Sequence, residues 1–481
     1  HRLLQNCLHT GILSRESKTA KVIPLPKANG EFRPISLLPC ISKILDTIVE
    51  RRLRAMVSHL LSPAQMGCRP GHGTSHALLR LFHAAGTAIA EKTVFGAISF
   101  DFSKAYDRVP RHLLVKKCQT MGVPTYLLWF IFNWLSDRWI QVYHRGAKAS
   151  PLQTNNGIPQ GSCLSVLLWL IFINDIPLQE GKGCLYVDDS MIWAVGRNRR
   201  HMLAKLKFRA LLIERWCEQN HVVINIAKTK LIANGYHHDN TIQLNSGLTI
   251  YSTQKLRYLG VDIISLSEDA QVSIQIDLTS VAQDIRRRCG ILSSLRYLRI
   301  PSKLLRQFAM GFCLGKLRYY TPFLGAEIQN GDTLAPLRKA LNHCMRAMLG
   351  AMYSTPIPLL HAASRIPRLE DMIAADGART MYLAMSRNTV IFKDYQEWSG
   401  IGDQWTPYGH IQETVALLPE THQAVEHQLP IPHPVLESVY AVEFKIPHDI
   451  KAATKLHKQG ALLSEETTQS WTDGSFLHLP Q

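Results

Sequence analysis

Apolar residues along this chain follow two rhythms, and the switch between them marks out its elements. Residues 94–100 read VFGAISF, a short β-rich run that ends on Asp101, which predicts a buried strand. Pro110 then opens a helical stretch that closes near Gly122, since proline suits the first turn of a helix and glycine its end. Residues 125–136 and 164–173 are almost wholly apolar and predict mostly buried helices. Residues 183–195, GCLYVDDSMIWAV, predict a hairpin turning at Asp188 and Asp189, because aspartate tolerates positive φ and stays solvated in turns. Further on, Ile291, Leu295 and Leu298, then Leu304, Leu305 and Phe308, recur at helical spacing and predict a small helical domain. The longest apolar runs, Tyr126–Trp134 and Cys163–Ile173, are too short to span a bilayer.

Composition narrows the class. A chain of 481 residues exceeds one hydrophobic core, so two to four subdomains are expected. With 46% hydrophobic and 19% charged residues it has ordinary globular composition, which excludes disorder throughout. The formal charge of +17 points to a polyanionic partner, nucleic acid first and an acidic membrane surface second. That charge is uneven. Between Asp284 and Arg346 twelve Lys/Arg face three acids, whereas from Ile391 to Gln481 five Lys face twelve Asp/Glu. The acidic, Pro- and His-rich end reads as a linker or separate module. Ten cysteines are scattered without a CxxC pair, a spacing that resembles neither a zinc site nor a disulfide framework and fits a reducing compartment. A chain that begins with His rather than Met reads as a piece of a longer protein.

Chemistry enters with SFDFSKAYDRVPR, which puts Asp101 at a strand end ahead of a helix. A strand end beside a hairpin tip can bring Asp101 within reach of Asp188 and Asp189. Three converging carboxylates repel unless cations neutralise them. Mg²⁺ suits such a set because it prefers carboxylate oxygens and shares its remaining positions with substrate phosphates. Two such ions form the clamp for in-line phosphoryl transfer. The plainer alternative is that the Asp pair is only a solvated turn.

Taken together, FDFSKAYD, GIPQGSCLSVLLWLIFINDI and YVDD resemble the palm of a reverse transcriptase, and of non-LTR retrotransposons in particular. The blocks VIPLPKANGEFRPISLLPCISKILDTIVERRL, QMGCRPGHGTSHA, NIAKTKLIA and KLRYLGVDI fall in the same family order around them. The resemblance implies an α+β right-hand polymerase: fingers over 1–93, an antiparallel-sheet palm over 94–268, and a helical thumb and connection over 269–390. An acidic linker over 391–469 would follow. SWTDGSF, with Asp473, is similar to the first strand of a ribonuclease H domain, so 470–481 would be the truncated start of one. This points to a jockey- or I-like lineage.

By the same resemblance, Asp101, Asp188 and Asp189, with the Phe102 backbone, hold two Mg²⁺ ions, for which Mn²⁺ may substitute. Lys27, Arg33, Tyr106, Gln160, Gly161 and Lys228 meet the incoming nucleotide, with Tyr106 as the plate that clashes with a ribose 2′-OH. Arg69, Tyr186, Leu259, Gly260, Arg286, Arg287 and Arg288 meet template and primer, and Tyr297, Tyr319 and Tyr320 offer stacking surfaces. Asp107 reads as structural, and His237 and His238 as loop residues. The implied partners are an RNA template, a DNA primer or target, and dNTPs, with no membrane, in the nucleus and cytoplasm. Oligomeric state stays open. Three positions depart from the family: Cys68 where an aromatic is usual, Val166 where proline is, and Val187 where alanine is more common. Two alternatives stand beside this reading: a group II intron or retron enzyme, and a degenerate, non-catalytic nucleic-acid-binding remnant.

Overall fold

A computed structural model describes residues 6–8, 10–26, 30, 32–179, 181–234, 240–265, 274–298, 300–325, 333–387, 389–398, 400, 406–416, 469–472 and 475–478. Lys27, His237, His238 and Asp473 lie outside the described residues. The chain divides into two units, one of 1–73, 96–232 and 237–253, the other of 74–95, 233–236 and 254–481.

In the first unit the strands are β1 (Thr19–Pro26), β2 (Phe32–Leu37), β3 (Val94–Phe100), β4 (Arg138–His144), β5 (Ala147–Lys148), β6 (Leu152–Thr154), β7 (Gly183–Tyr186), β8 (Asp189–Gly196) and β9 (Lys230–Ala233). One sheet runs β2-β1-β4-β5, with β6 also on β4; the other runs β7-β8-β3-β9. The VFGAISF run is therefore a central strand, with Phe95, Ala97, Ile98 and Phe100 buried, as its apolar character predicts. Helix Arg199–Gln219 packs on β8. Helix Cys163–Ile173 packs on helices Cys40–Val57 and Arg111–Thr120, and from Leu167 to Ile173 no residue exceeds 1% exposure. A helix apolar on every side is a buried one. The run 125–136 behaves differently. Helix Thr125–Leu135 buries Leu127, Phe130, Ile131 and Trp134 but leaves Tyr126, Trp129 and Phe132 about half exposed. Composition alone does not reveal that open face. Beyond β9, a small hairpin pairs β10 (Thr241–Gln243) with β11 (Thr249–Tyr251).

The second unit is mainly helical, with a three-stranded sheet of β12 (Lys255–Tyr258), β13 (Val261–Ser265) and β14 (Ile274–Ile276). Helices Leu278–Tyr297, Ser302–Phe308, Ala335–Leu349 and Leu369–Ser386 follow, helical as the apolar spacing predicts. The residues that suggested this are only partly the inward face: Leu305 is buried, and Leu295 and Phe308 are half-buried. Ile291, Leu298 and Leu304 are exposed, while Val281, Ile285, Cys289 and Leu292 turn inward. Two helices, Val390–Glu397 and Pro407–Ala416, occupy the start of the acidic segment read as a linker. Tyr408 there is fully buried and stacks on His83 at 4.0 Å. Strands β15 (Gln469–Thr472) and β16 (Ser475–His478) pair antiparallel. No helix among the described residues is long and apolar enough to cross a membrane.

Candidate active site

The hairpin of β7 and β8 pairs Tyr186 with Asp189, so its two-residue turn is Val187–Asp188 and Asp189 already opens β8. The Asp pair is thus split between turn and strand rather than forming the turn itself. Val187 has φ 61°, in the position where such a hairpin ordinarily takes glycine. A β-branched residue there is strained and persists only if its surroundings over-determine it. They do. The Gln65 Oε1 accepts from the Val187 N–H at 3.1 Å, and the Trp169 Nε1 donates to its carbonyl at 2.9 Å. The chain at Gln65 runs beside β7, with Met66 N–H donating to Leu185 O and Leu185 N–H to Ala64 O, both at 2.8 Å. Gly67 lies so close that a Cβ on it would stand 2.5 Å from the Val187 nitrogen.

Asp101 follows β3 directly and is held from β9's approach. Asn225 donates from Nδ2 to Asp101 Oδ2 at 2.8 Å and from its N–H to the Asp101 carbonyl, also at 2.8 Å. The Asp101 N–H donates to Thr229 Oγ1 at 3.3 Å, and the Lys228 ammonium stands 4.0 Å from Oδ2. Phe102 bridges Ile224, but the bridge's bonds join Asn225 to Asp101 and Ser103 to Val223, so the Phe102 carbonyl takes no part in them.

These three carboxyls feel one another. Both members of the pair reach solvent, yet enough protein crowds them that burial is the largest cause raising each. Asp189 is pushed up to about 6 by burial, then by Asp188 and Asp101. Asp188 is raised by burial and by Asp101, against backbone hydrogen bonding and the Arg33 charge. Charged together, the three are destabilised without a counter-ion. Their donor set is all oxygen, which fits a hard divalent cation. The oxygens do not all come within 4.8 Å of one another.

Around them stand the nucleotide-side candidates. Arg33 is exposed on β2. Tyr106 stacks on Trp169 at 5.4 Å, and burial first, then Asp188, holds its hydroxyl well above the usual tyrosine range. Its carbonyl accepts from the Ile158 N–H at 2.9 Å, tying it to the loop of Gln160. The Gln160 carbonyl accepts from the Ser36 N–H at 2.7 Å. Gly161 has φ 140°, and a Cβ there would sit 2.2 Å from the Ser36 carbonyl oxygen, so only glycine fits. Ser162 caps the next helix and donates to the buried Asp46, which also accepts from Trp134 Nε1 at 2.8 Å. Arg111 fastens the same loop through Thr154, Asn156 and Gly157.

The remaining expected residues have surroundings of their own. The Arg69 guanidinium donates to the carbonyls of Ser62, Gln65 and Ser58, bracing its own loop. Tyr186 ends β7, half-buried. In the second unit Leu259 and Gly260 form the turn between β12 and β13, both at positive φ. The Tyr319 and Tyr320 hydroxyls donate to their carbonyls at 2.5 and 3.1 Å. Tyr320 is 1% exposed and so offers no stacking surface, contrary to expectation, whereas Tyr297 is 78% exposed. Arg286 and Arg287 are exposed, and Arg288 donates to the Phe312 carbonyl at 2.7 Å. Gln65 and Asn225 fall in blocks that the resemblance covers, but what they hold, like the parts played by Trp169 and Asp46, does not show in the sequence, because each acts on a partner more than fifteen residues away.

Residues 25–263 match the family described as reverse transcriptase (RNA-dependent DNA polymerase), and the chain carries a reverse-transcriptase domain. Curated relatives similar to it include polymerases of jockey-like non-LTR elements. The RNA-directed DNA polymerase from mobile element jockey of Drosophila melanogaster is 25% identical over 61% of this chain and 33% of its own length. The probable RNA-directed DNA polymerase from the X-element transposon of the same fly is 29% identical over 46% and 25%. The chain thus spans about a third of the length of the curated jockey relatives. A looser likeness is to telomerase of Candida tropicalis, 12% identical over 82% of this chain and 70% of that one, with a TM-score of 0.41.

Proposed function

We propose that this chain is an RNA-directed DNA polymerase that adds dNTPs to a primer 3′-OH on an RNA template. The observation that carries the reading is the gathering of Asp101, Asp188 and Asp189 within the matched domain, with Asp189 pushed up to about 6 by burial and by its two neighbours. Asp101, Asp188 and Asp189, with the Phe102 carbonyl, would hold the divalent cations, two Mg²⁺ or Mn²⁺. When bound, these supply charge neutralisation at the α-phosphate and at the attacking and leaving oxygens. Arg33 pairs with the triphosphate, a role its exposure on β2 supports. Gln160 and Gly161 present backbone closely to the nucleotide, and Tyr106, fixed against Trp169, blocks a 2′-OH. Lys228 stands beside Asp101 where it can give a proton to the departing pyrophosphate. Arg69 and Tyr186 flank the template side.

We further propose the division into fingers, palm and thumb, with Leu259 and Gly260 gripping the primer and Arg286, Arg287 and Arg288 lining the duplex path. In the cell, the template would be the element's own RNA and the primer a nicked chromosomal target, which implies work in cytoplasm and nucleus. Extension of oligo(dT) on poly(rA) tests the reading. Incorporation of dTTP that needs Mg²⁺ or Mn²⁺ and stops with a chelator is expected; a protein that binds this duplex but never extends it is the non-catalytic remnant instead.

A further inference from the structure

Far from the carboxylates in sequence, the second unit gathers another set of potential ligands. Cys289, Cys313 and Cys344 place their sulfurs within 4.8 Å of one another, and all three are 0% exposed. Spacing of 24 and 31 residues hid this; the sequence showed only isolated cysteines. Each comes from a different element: Cys289 from helix Leu278–Tyr297, Cys313 from the π-helical turn Ala309–Cys313, and Cys344 from helix Ala335–Leu349. A buried cysteine by itself is a small apolar residue. Three that converge from three helices are a different matter, because every pairwise contact is then sulfur on sulfur. The π turn adds to this, since such insertions into a helix frequently mark functional positions. Here it sets the residue that completes the trio.

We infer that Cys289, Cys313 and Cys344 form a thiolate site for a soft d¹⁰ cation, Zn²⁺ in particular, that staples three helices of the second unit. The geometry is close to what the ion requires. Zn–S bonds of about 2.3 Å put ligand sulfurs roughly 3.8 Å apart, so the observed spacing closes with small side-chain rotations. Charge favours zinc over a monovalent ion. Three thiolates and Zn²⁺ carry one net negative charge, and the Arg288 guanidinium is fixed next to the site by its 2.7 Å bond to the carbonyl of Phe312, the residue before Cys313. On binding, each thiol releases its proton to solvent as its sulfur bonds the metal, with no change of oxidation state. Among the described residues no other His, Cys, Asp or Glu joins the three, so the side-chain ligands number three.

The test uses the full chain, purified under reducing conditions in Mg²⁺ buffer, titrated with Cd²⁺ as a spectroscopic stand-in for zinc. Sulfur-to-cadmium charge transfer reports thiolate ligation and is blind to the carboxylates of the active site. We expect one equivalent to give the band, excess Zn²⁺ added beforehand to slow or compete with its appearance, and Zn²⁺ to raise the Tm. The variant with Cys289, Cys313 and Cys344 all changed to Ala should lose the band entirely, while Cys118→Ala, which alters a buried cysteine of the first unit, should keep it. A reduced wild-type chain with no band and no zinc-dependent shift in Tm overturns the inference. So does a band that the triple variant retains. If the triple variant fails to fold, the wild-type titration alone decides. Neither result depends on polymerase activity.

Discussion

Val187 shows how much of this site is carried by residues that do no chemistry. Its φ of 61° costs about 1–2 kcal/mol for a non-glycine residue, and two side-chain hydrogen bonds, from Gln65 and Trp169, hold it there. Asn225 plays the matching part for Asp101, bonding both its carboxylate and its carbonyl. Removing that bond should act on chemistry more than on folding. Asn225→Ala is expected to lower primer extension about 10–100-fold, the usual effect of losing a partner behind a metal ligand. Much of the loss should be recovered at raised Mg²⁺, with little change in Tm. Extension at the wild-type rate in limiting Mg²⁺ would show that Asp101 needs no such support. At this scale Asp101, Asp188 and Asp189 stood out in the sequence, because the resemblance turns on short blocks in a fixed order. Gln65, Trp169 and Asp46 did not. Their roles exist only once distant segments meet, and no local spacing encodes that meeting.

Elements were read better by type than by face. The strand before Asp101, the helix between Pro110 and Gly122 and the buried helix Cys163–Ile173 all stand where the apolar pattern put them. The helix Leu278–Tyr297 was found, but its inward face runs through Val281, Ile285, Cys289 and Leu292. A pattern weighted to Leu and Ile overlooks cysteine as a core residue. Helix Thr74–Ala90 likewise carries an inconspicuous histidine. His83 stacks on Tyr408, its Nδ1 has no hydrogen-bond partner among the described residues, and burial first, then Arg80, lowers its pKa from 6.5 to about 3. The neutral ring is therefore the folded form, and the unfolded chain takes up a proton first as pH falls. Stability from this residue is complete above 6.5 and declines as pH drops toward 3. Between about pH 7 and about pH 5 the loss should approach about 2 kcal/mol. Denaturant melts at the two pH values check this: His83→Phe, which keeps the ring, should flatten the difference, and an unchanged slope would assign the acid sensitivity elsewhere.

At the scale of the molecule the charge of +17 was the first pointer to nucleic acid, and Arg286 and Arg287 carry part of it on an exposed face, Arg287 in a 3.6 Å ion pair with Asp284. Binding to poly(rA)/oligo(dT) should weaken at least 100-fold between roughly 50 and 200 mM salt, and changing both arginines to Gln should reduce the slope by about one to two ions. A slope untouched by the double change would move the phosphate contacts off this helix. The central claim, though, is that three carboxylates are crowded together in order to hold cations for nucleotide addition. It makes stability and activity move in opposite directions. Asp189→Asn removes one charge from a mutually repelling set, the member pushed up to about 6. The most direct measurement is therefore dTTP incorporation by Asp189→Asn in Mg²⁺, read beside the Tm of the metal-free protein. Incorporation at background with a Tm equal to or above wild type is the predicted result; extension at the wild-type rate, or a loss that only follows unfolding, would contradict it.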